Sequence, residues 1–164
     1  MFTAHQTARA TTAAAFALAL SVGAATAPAQ AAPYLSISSH LTIDPEPVAG
    51  TNPSVYHTDV QGVVTLSQAA AQDSINHGSI VQLRYWGDDE FSDDLIYGPI
   101  AAPNMFAAAD GLHYQYNVNI PASELNEDNF VGDEYDEIYV GARFLDPGGK
   151  TVSQVESNRR NGSF

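Results

Sequence analysis

Strict alternation of apolar and polar side chains is the feature of this 164-residue chain that most limits its possible folds. In HYQYNVNI, residues 113–120, every second residue is apolar: Tyr114, Tyr116, Val118 and Ile120. The segments SIVQLRYW (79–86) and EIYVGARF (137–144) repeat the pattern. A two-residue period is that of a β-strand with one buried face, because successive side chains point to opposite sides. We therefore expect an all-β protein.

Weaker patterns complete the predicted fold. Four further strands are expected at YLSIS, HLTI, VQGVVTL and KTVSQVE, residues 34–38, 40–43, 60–66 and 150–156. A helix is expected between Ser67, a suitable N-cap, and Gly78, and a single turn is expected after Ser123 as its cap. Residues 101–111 are interpreted as a loop, whereas DPGGK (146–150) predicts a hairpin turn. Short strands separated by turns predict an antiparallel β-sandwich, C2-like or immunoglobulin-like, with at most one or two short helices.

The N-terminal segment predicts secretion. Arg9 precedes the apolar run AAAFALALSVGAA (13–25), and the small residues of Ala29-Gln30-Ala31 follow it. This order is typical of a secretory signal peptide, and the run is shorter than the roughly 20 residues that span a bilayer. We expect residues 1–31 to be a signal peptide cleaved after Ala31. Residues 32–164 would then form a single secreted domain, of bacterial type because cysteine is absent, with no stable membrane insertion.

The chain is strongly acidic, with 19 Asp and Glu against six Lys and Arg and a formal net charge of −13. Such a balance disfavours nucleic acid and anionic membrane surfaces as partners, because both select basic patches. The acids are concentrated in residues 88–94 and 124–137. Near the C-terminus, Arg159 and Arg160 are expected to form either a mobile polar tail or a strand that neutralises nearby acids.

The first acidic cluster, GDDEFSDDL (87–95), predicts a cation site. Calcium takes six to eight oxygen ligands in a tolerant geometry, whereas magnesium demands a stricter octahedron. Crowded carboxylates repel one another, and a bound dication would remove that repulsion. An open, solvated loop is the alternative explanation. The candidate calcium ligands are Asp88, Glu90, Asp93 and Asp94, with Asp89 as a further donor.

About a dozen residues here also resemble a known family. The strand VQLRYW, then Asp88, Glu90 and Asp94, and then LIYG are similar to the third calcium loop of C2 domains. The resemblance implies an antiparallel sandwich whose loops at one end hold calcium. It also implies that these three carboxylates are ligands, with Asp93 nearby.

The second acidic cluster, ELNEDNFVGDEYDEI (124–138), does not match an EF-hand, because Val131 and Ile138 stand where that loop needs oxygen ligands. A second acidic loop facing the first is one interpretation, and a solvated surface is the simpler one. Its candidate oxygen donors are Glu127, Asp128, Asp133 and Asp136.

Aromatic residues around the acidic clusters indicate a different ligand class. The rings concerned are Trp86, Phe91, Tyr97, Phe130 and Tyr135. Exposed rings can stack on sugars, which makes Trp86 and Tyr97 candidate ligand-binding residues of a carbohydrate-binding module, although packing in the core is the simpler interpretation. A small hydrolase that uses paired carboxylates is a further alternative.

No nucleophile motif is present in the sequence, and we therefore expect no catalytic activity. The sequence favours a secreted, acidic, non-catalytic β-sandwich module. It would bind calcium through the Asp88–Asp94 loop and contact an extracellular protein or glycan.

Overall fold

The computed structural model describes residues 35–45, 53–88, 93–126 and 136–164, which belong to one compact unit. The predicted signal peptide and its cleavage site lie outside these residues. In chain order, the strands within the described ranges are β1 (Ile37–Asp44), β2 (Val55–Thr65), β3 (Ile80–Gly87), β4 (Asp94–Ala101), β5 (Asn104–Ala108), β6 (Gly111–Pro121), β7 (Asp136–Leu145), β8 (Thr151–Glu156) and β9 (Arg160–Gly162). Two short helices, α1 (Gln68–Asn76) and α2 (Ala122–Leu125), accompany them.

The strands form two antiparallel sheets. Sheet A has the order β1-β2-β6-β5, and sheet B has the order β4-β3-β7-β8, with β9 pairing beside β8 on the same strand, β7. Strands β3 and β7 are therefore paired along both edges. Neither described helix has the length and apolar character needed to cross a membrane.

The core lies between the sheets and is built by the alternation seen in the sequence. On β7, the predicted inward residues are almost fully buried: Ile138, Val140, Ala142 and Phe144. Tyr85 from sheet B meets Thr58 from sheet A in a buried hydrogen bond of 3.0 Å between their hydroxyl oxygens. The predicted all-β antiparallel sandwich with two short helices is confirmed.

The local sequence signals for helix ends and loops were correct at some positions and wrong at others. Ser67 caps α1 by accepting from the Ala70 amide at 3.2 Å, and Gly78 ends the helical segment with a φ of +85°, as predicted. The predicted cap at Ser123 is wrong, because α2 begins at Ala122 and encloses this residue. The expected loop at 101–111 is also wrong, because β5 lies within it and pairs with β6. This short edge strand buries neither face fully, so its sequence shows no clear period.

Candidate functional site

The acidic segment connects two paired strands. Gly87 of β3 lies opposite Asp94 of β4, so Asp88 and Asp93 stand at the base of the connection between them. The predicted ligands Asp89 and Glu90 lie outside the described residues. Of the second cluster, Glu127, Asp128 and Asp133 also lie outside them. Asp136 is buried at the start of β7.

Protein donors already hold the two described carboxylates at the base of this segment. The Arg159 guanidinium donates to the Asp88 carboxylate and lies 3.5 Å from Glu156. The Tyr139 hydroxyl donates to Asp93 Oδ2 at 2.6 Å. The prediction that the C-terminal arginines neutralise nearby acids is thus confirmed for Arg159.

Tyr139 connects these contacts. The Arg159 guanidinium lies 4.9 Å from the centre of the Tyr139 ring, close enough for a cation–π interaction. Burial, followed by the hydrogen bond to Asp93 and the neighbouring carboxylates, raises the pKa of Tyr139. Within the described ranges, no three His, Cys, Asp or Glu side chains come together in a group that could hold a metal. There, Arg159 supplies the counter-charge to Asp88 and Glu156.

A groove of ≈ 680 Å³ runs across the outer face of sheet B. We call it the sheet-B groove, and its polar and aromatic lining residues are Arg84, Trp86, Tyr139, Arg143, Gln154 and Glu156. These side chains come from β3, β7 and β8 and alternate with the core residues of the same strands. One period-two pattern therefore builds the core on one side of the sheet and the groove on the other.

Strand register explains how the floor of the groove is built. Arg84, Gly141 and Glu156 form one row across three neighbouring strands, and the middle position has no side chain. A Cβ at Gly141 would lie 3.1 Å from Trp86 Nε1, so the edge of the indole approaches the backbone there. Because strands are about 4.8 Å apart, the backbones carrying Arg84 and Glu156 are separated by roughly 10 Å. Gly141 thus forms part of the groove floor.

The two arginines of the groove have unused hydrogen-bond donors. Arg143 donates to the Thr151 hydroxyl, but the Nε atoms of Arg84 and Arg143 are buried without a hydrogen-bond partner among the described residues. Within the same part of the chain, the Arg84 side chain makes no hydrogen bond or ion pair. An unsatisfied buried donor costs about 1–3 kcal/mol, and a guanidinium carries five N–H groups but no acceptor. The terminal nitrogens of Arg84 also have no described partner but are not fully buried, so acceptor oxygens supplied from outside can reach them.

The two candidate ligand-binding rings lie on different faces of sheet B. Tyr97 pairs in register with Tyr85, and their ring centres are 5.9 Å apart on the core side. The Tyr97 hydroxyl lies 3.3 Å from that of Tyr116 in the opposite sheet. Trp86 points outward into the groove, so the two residues do not form one platform. Phe91, Phe130 and Tyr135 lie outside the described residues.

The sequence analysis did not predict that these residues form one groove. Arg84 and Trp86 could have been assigned to one outer face from the alternation of β3. Their proximity to Gly141 and Arg143 depends on pairing with β7, which is more than 50 positions away in the chain. No local signal gives that register.

Comparisons with known proteins give structural similarity alone. No protein-family model matches the sequence, and no curated protein matches it. Among solved structures, a protein designated ApaA from Bordetella pertussis is 14% identical, with 79% of this chain and 94% of that chain covered and a TM-score of 0.43. A further structural-genomics target is 8% identical, with 80% and 87% covered and a TM-score of 0.41.

Proposed function

We propose that this protein is a secreted, non-catalytic module that binds saccharides in the sheet-B groove. The observation that carries the proposal is the joint placement of half-buried Trp86, whose indole edge lies over Gly141, and of Arg84, whose side chain has no described partner, in one groove. A sugar offers an apolar ring face to an aromatic side chain and hydroxyl oxygens to hydrogen-bond donors. Small-molecule sites commonly combine aromatic lining with a few polar groups that fix orientation.

The position of the groove within the sheet favours a saccharide over an extended peptide. A peptide that adds to a β-sheet needs a free strand edge for its main-chain hydrogen bonds. The floor of the groove lies over β3 and β7, which are already paired on each side, and β8 borders it as the end strand of the sheet. Recognition over β3 and β7 must therefore come from side chains.

The pairing of carboxylates supports the non-catalytic part of the proposal. A glycosidase uses one carboxyl group as a proton donor and a second as a base or nucleophile. Asp88 is held by Arg159, and Asp93 accepts from the Tyr139 hydroxyl. Both of these carboxylates therefore have a structural role next to the groove.

Affinity electrophoresis tests the proposal. The full chain would be run through gels containing neutral and acidic polysaccharides, beside Trp86→Ala and the matched control Phe106→Ala. Phe106 is 55% exposed on sheet A and lies outside the groove. We expect at least one polysaccharide to retard the wild type and Phe106→Ala, and retardation to be lost in Trp86→Ala. Equal mobility of all three proteins in every gel would refute the proposal.

Calcium binding at the Asp88–Asp94 segment is a second candidate function. The register of β3 and β4 favours it, because three acids, Asp88, Asp93 and Asp94, flank the ends of one short connection. At tenfold excess over its Kd, calcium would add about 1.4 kcal/mol of stability.

The test of calcium binding compares melting temperatures in EDTA, 10 mM calcium and 10 mM magnesium. The double variant Glu90→Gln/Asp94→Asn leaves the contacts of Arg159 and Tyr139 in place. Asp73→Asn on α1, a helix that packs against sheet A, is the control. We expect calcium alone to raise the melting temperature of the wild type and of Asp73→Asn by several degrees. Coincident curves in the three buffers would exclude the site.

A further inference from the structure

We infer that the sheet-B groove selects saccharides that carry a carboxylate, such as uronic acids, with Arg84 and Arg143 holding that carboxylate. The inference rests on the proposed saccharide-binding function and specifies its ligand class.

The first argument is charge. Acids outnumber Lys and Arg by 19 to six in this chain, so a cation has many carboxylates within the same molecule to pair with. Arg159 contacts two of them, Asp88 and Glu156. Arg84 is half-buried and contacts none of the described carboxylates. Its charge is therefore available to an anion from outside the chain.

The second argument is geometry. Arg84 lies opposite Gly141, and Arg143 lies two residues further along β7, so the two arginines are diagonal neighbours on one face. Diagonal positions on paired strands are about 7–8 Å apart, which long side chains can bridge. The hydrogen bond to Thr151 fixes one Arg143 nitrogen and leaves its Nε without a described partner. A carboxylate between the two guanidinium groups would accept hydrogen bonds from both.

The remaining lining residues favour a singly charged ligand with hydroxyl groups. Glu156 stands at the far side of the Arg84 row and would repel a phosphate dianion more strongly than a carboxylate. The same carboxylate can accept hydrogen bonds from sugar hydroxyls, and Gln154 can both donate and accept. Trp86 lies beside Arg84 and provides an aromatic surface for the sugar ring.

The test uses Trp86 as its own reporter, since it is the only tryptophan in the chain. Its fluorescence would be titrated with oligomers of galacturonic, glucuronic and mannuronic acid, each as free acid and as methyl ester. EDTA is present throughout, because calcium crosslinks polyuronates. We expect saturable binding of at least one free acid, with the matching ester bound at least about tenfold more weakly.

Variants assign this preference to the arginine. Arg84→Gln is expected to weaken binding of the free acid by about 10- to 100-fold, as for a lost charge-assisted contact, and to weaken binding of the ester by a smaller factor. Arg84→Lys keeps the positive charge but lacks the planar guanidinium that can donate two parallel hydrogen bonds to one carboxylate. It should therefore bind the free acid with intermediate affinity. Lys150→Gln, an exposed cation in the β7–β8 turn, is the control and should match the wild type. Should Arg84→Gln fail to fold, Arg84→Lys and the acid–ester comparison on wild type decide the question.

The possible failures are distinguishable. Equal wild-type affinity for acid and ester, or unchanged binding by Arg84→Gln, would overturn the carboxylate inference while leaving the saccharide function intact. Absence of binding to any saccharide, neutral or acidic, would overturn both. Binding of a poly-glutamate peptide with the same affinity and the same dependence on Arg84 would overturn the saccharide class.

Discussion

The outer faces of the two sheets differ in how their polar side chains are satisfied. Sheet A carries a smaller hollow of ≈ 390 Å³ against ≈ 680 Å³ for the sheet-B groove. In that hollow, His113 Nε2 lies 2.7 Å from an Asp110 oxygen and the His113 ring stacks on Phe106 at 5.0 Å. Gln115 donates to Asp59 at 3.1 Å. On sheet B, by contrast, the Nε atoms of Arg84 and Arg143 are buried without a described hydrogen-bond partner, which holds for no side-chain atom that lines the sheet A hollow.

This difference shows that ring exposure alone is a poor guide to a binding surface. Phe106 is well exposed, yet its neighbours form hydrogen bonds with each other. Trp86 is less exposed, but the guanidinium beside it retains unused donors. Unsatisfied polar groups next to an aromatic residue are therefore the more informative sign of a missing ligand.

The largest loss of stability is expected from a substitution at Gly62 in sheet A, and Gly141 in sheet B provides the comparison. A Cβ at Gly62 would overlap the Ser38 carbonyl oxygen and the Tyr114 hydroxyl, which hydrogen-bond to each other at 2.7 Å. Gly62→Ala should therefore destabilise the fold by about 3 kcal/mol, through overpacking and loss of that bond. Gly141→Ala should cost less than about 1 kcal/mol, because the Trp86 side chain can rotate outward. Urea unfolding of both variants measures the difference, and equal losses would contradict this account of the two floors.

Alkaline pH is expected to cause the second-largest loss of stability. Burial raises the pKa of Tyr114, beneath sheet A, to about 12, whereas the unfolded chain releases that proton near pH 10. The folded state thus binds more protons between these values, so stability is full below pH 10 and declines as the pH rises towards 12. Tyr114 alone should contribute a loss on the order of 2 kcal/mol by pH 12. Free energies of unfolding from pH 8 to 12 check this, and Tyr114→Phe should show a shallower decline. An identical decline in both proteins would contradict the assignment.

Replacement of Arg159, which pairs with Asp88 and Glu156, should lower the free energy of unfolding by a smaller amount. Arg159→Gln leaves Asp88 and Glu156 without their shared cation and removes the contact with the Tyr139 ring. Because these groups are partly exposed, we expect a loss of about 0.5–1 kcal/mol at low salt. Raising the ionic strength to 1 M should reduce the difference in free energy of unfolding between Arg159→Gln and the wild type. A difference that does not depend on salt would mean that packing, and not charge, accounts for the effect of Arg159.

Removal of the partnerless arginine should have the smallest effect on stability. Arg84→Gln breaks no described side-chain hydrogen bond or ion pair and removes a buried unpaired donor, so the free energy of unfolding should not fall by more than about 0.5 kcal/mol. Thermal and urea unfolding without ligand provide the measurement. A loss as large as that of Arg159→Gln would show that Arg84 has a structural role.

Local pattern was sufficient for much of the fold. The alternation at 113–120 and 137–144 gave strands and their buried faces, because a half-buried strand needs a two-residue period. The edge strand β5 was missed since neither of its faces is fully buried. Tertiary pairing decided the site: Arg159 reaches Asp88 across 71 positions, and Gly141 meets Arg84 only through the register of β3 with β7. Such long-range relations leave no mark in a single sequence.

The most direct test of the sheet-B groove is an amide-correlation NMR titration of the full chain with oligogalacturonate in EDTA. The indole N–H of Trp86 needs no assignment, because the chain has a single tryptophan. We predict that the chemical shifts of this signal and of the Gly141 amide change with ligand concentration until they reach a plateau. The chemical shifts of the Phe106 and His113 amides on sheet A should not change. An unmoved Trp86 indole signal, or shifts confined to the sheet A hollow, would contradict the claim that the groove is the binding surface.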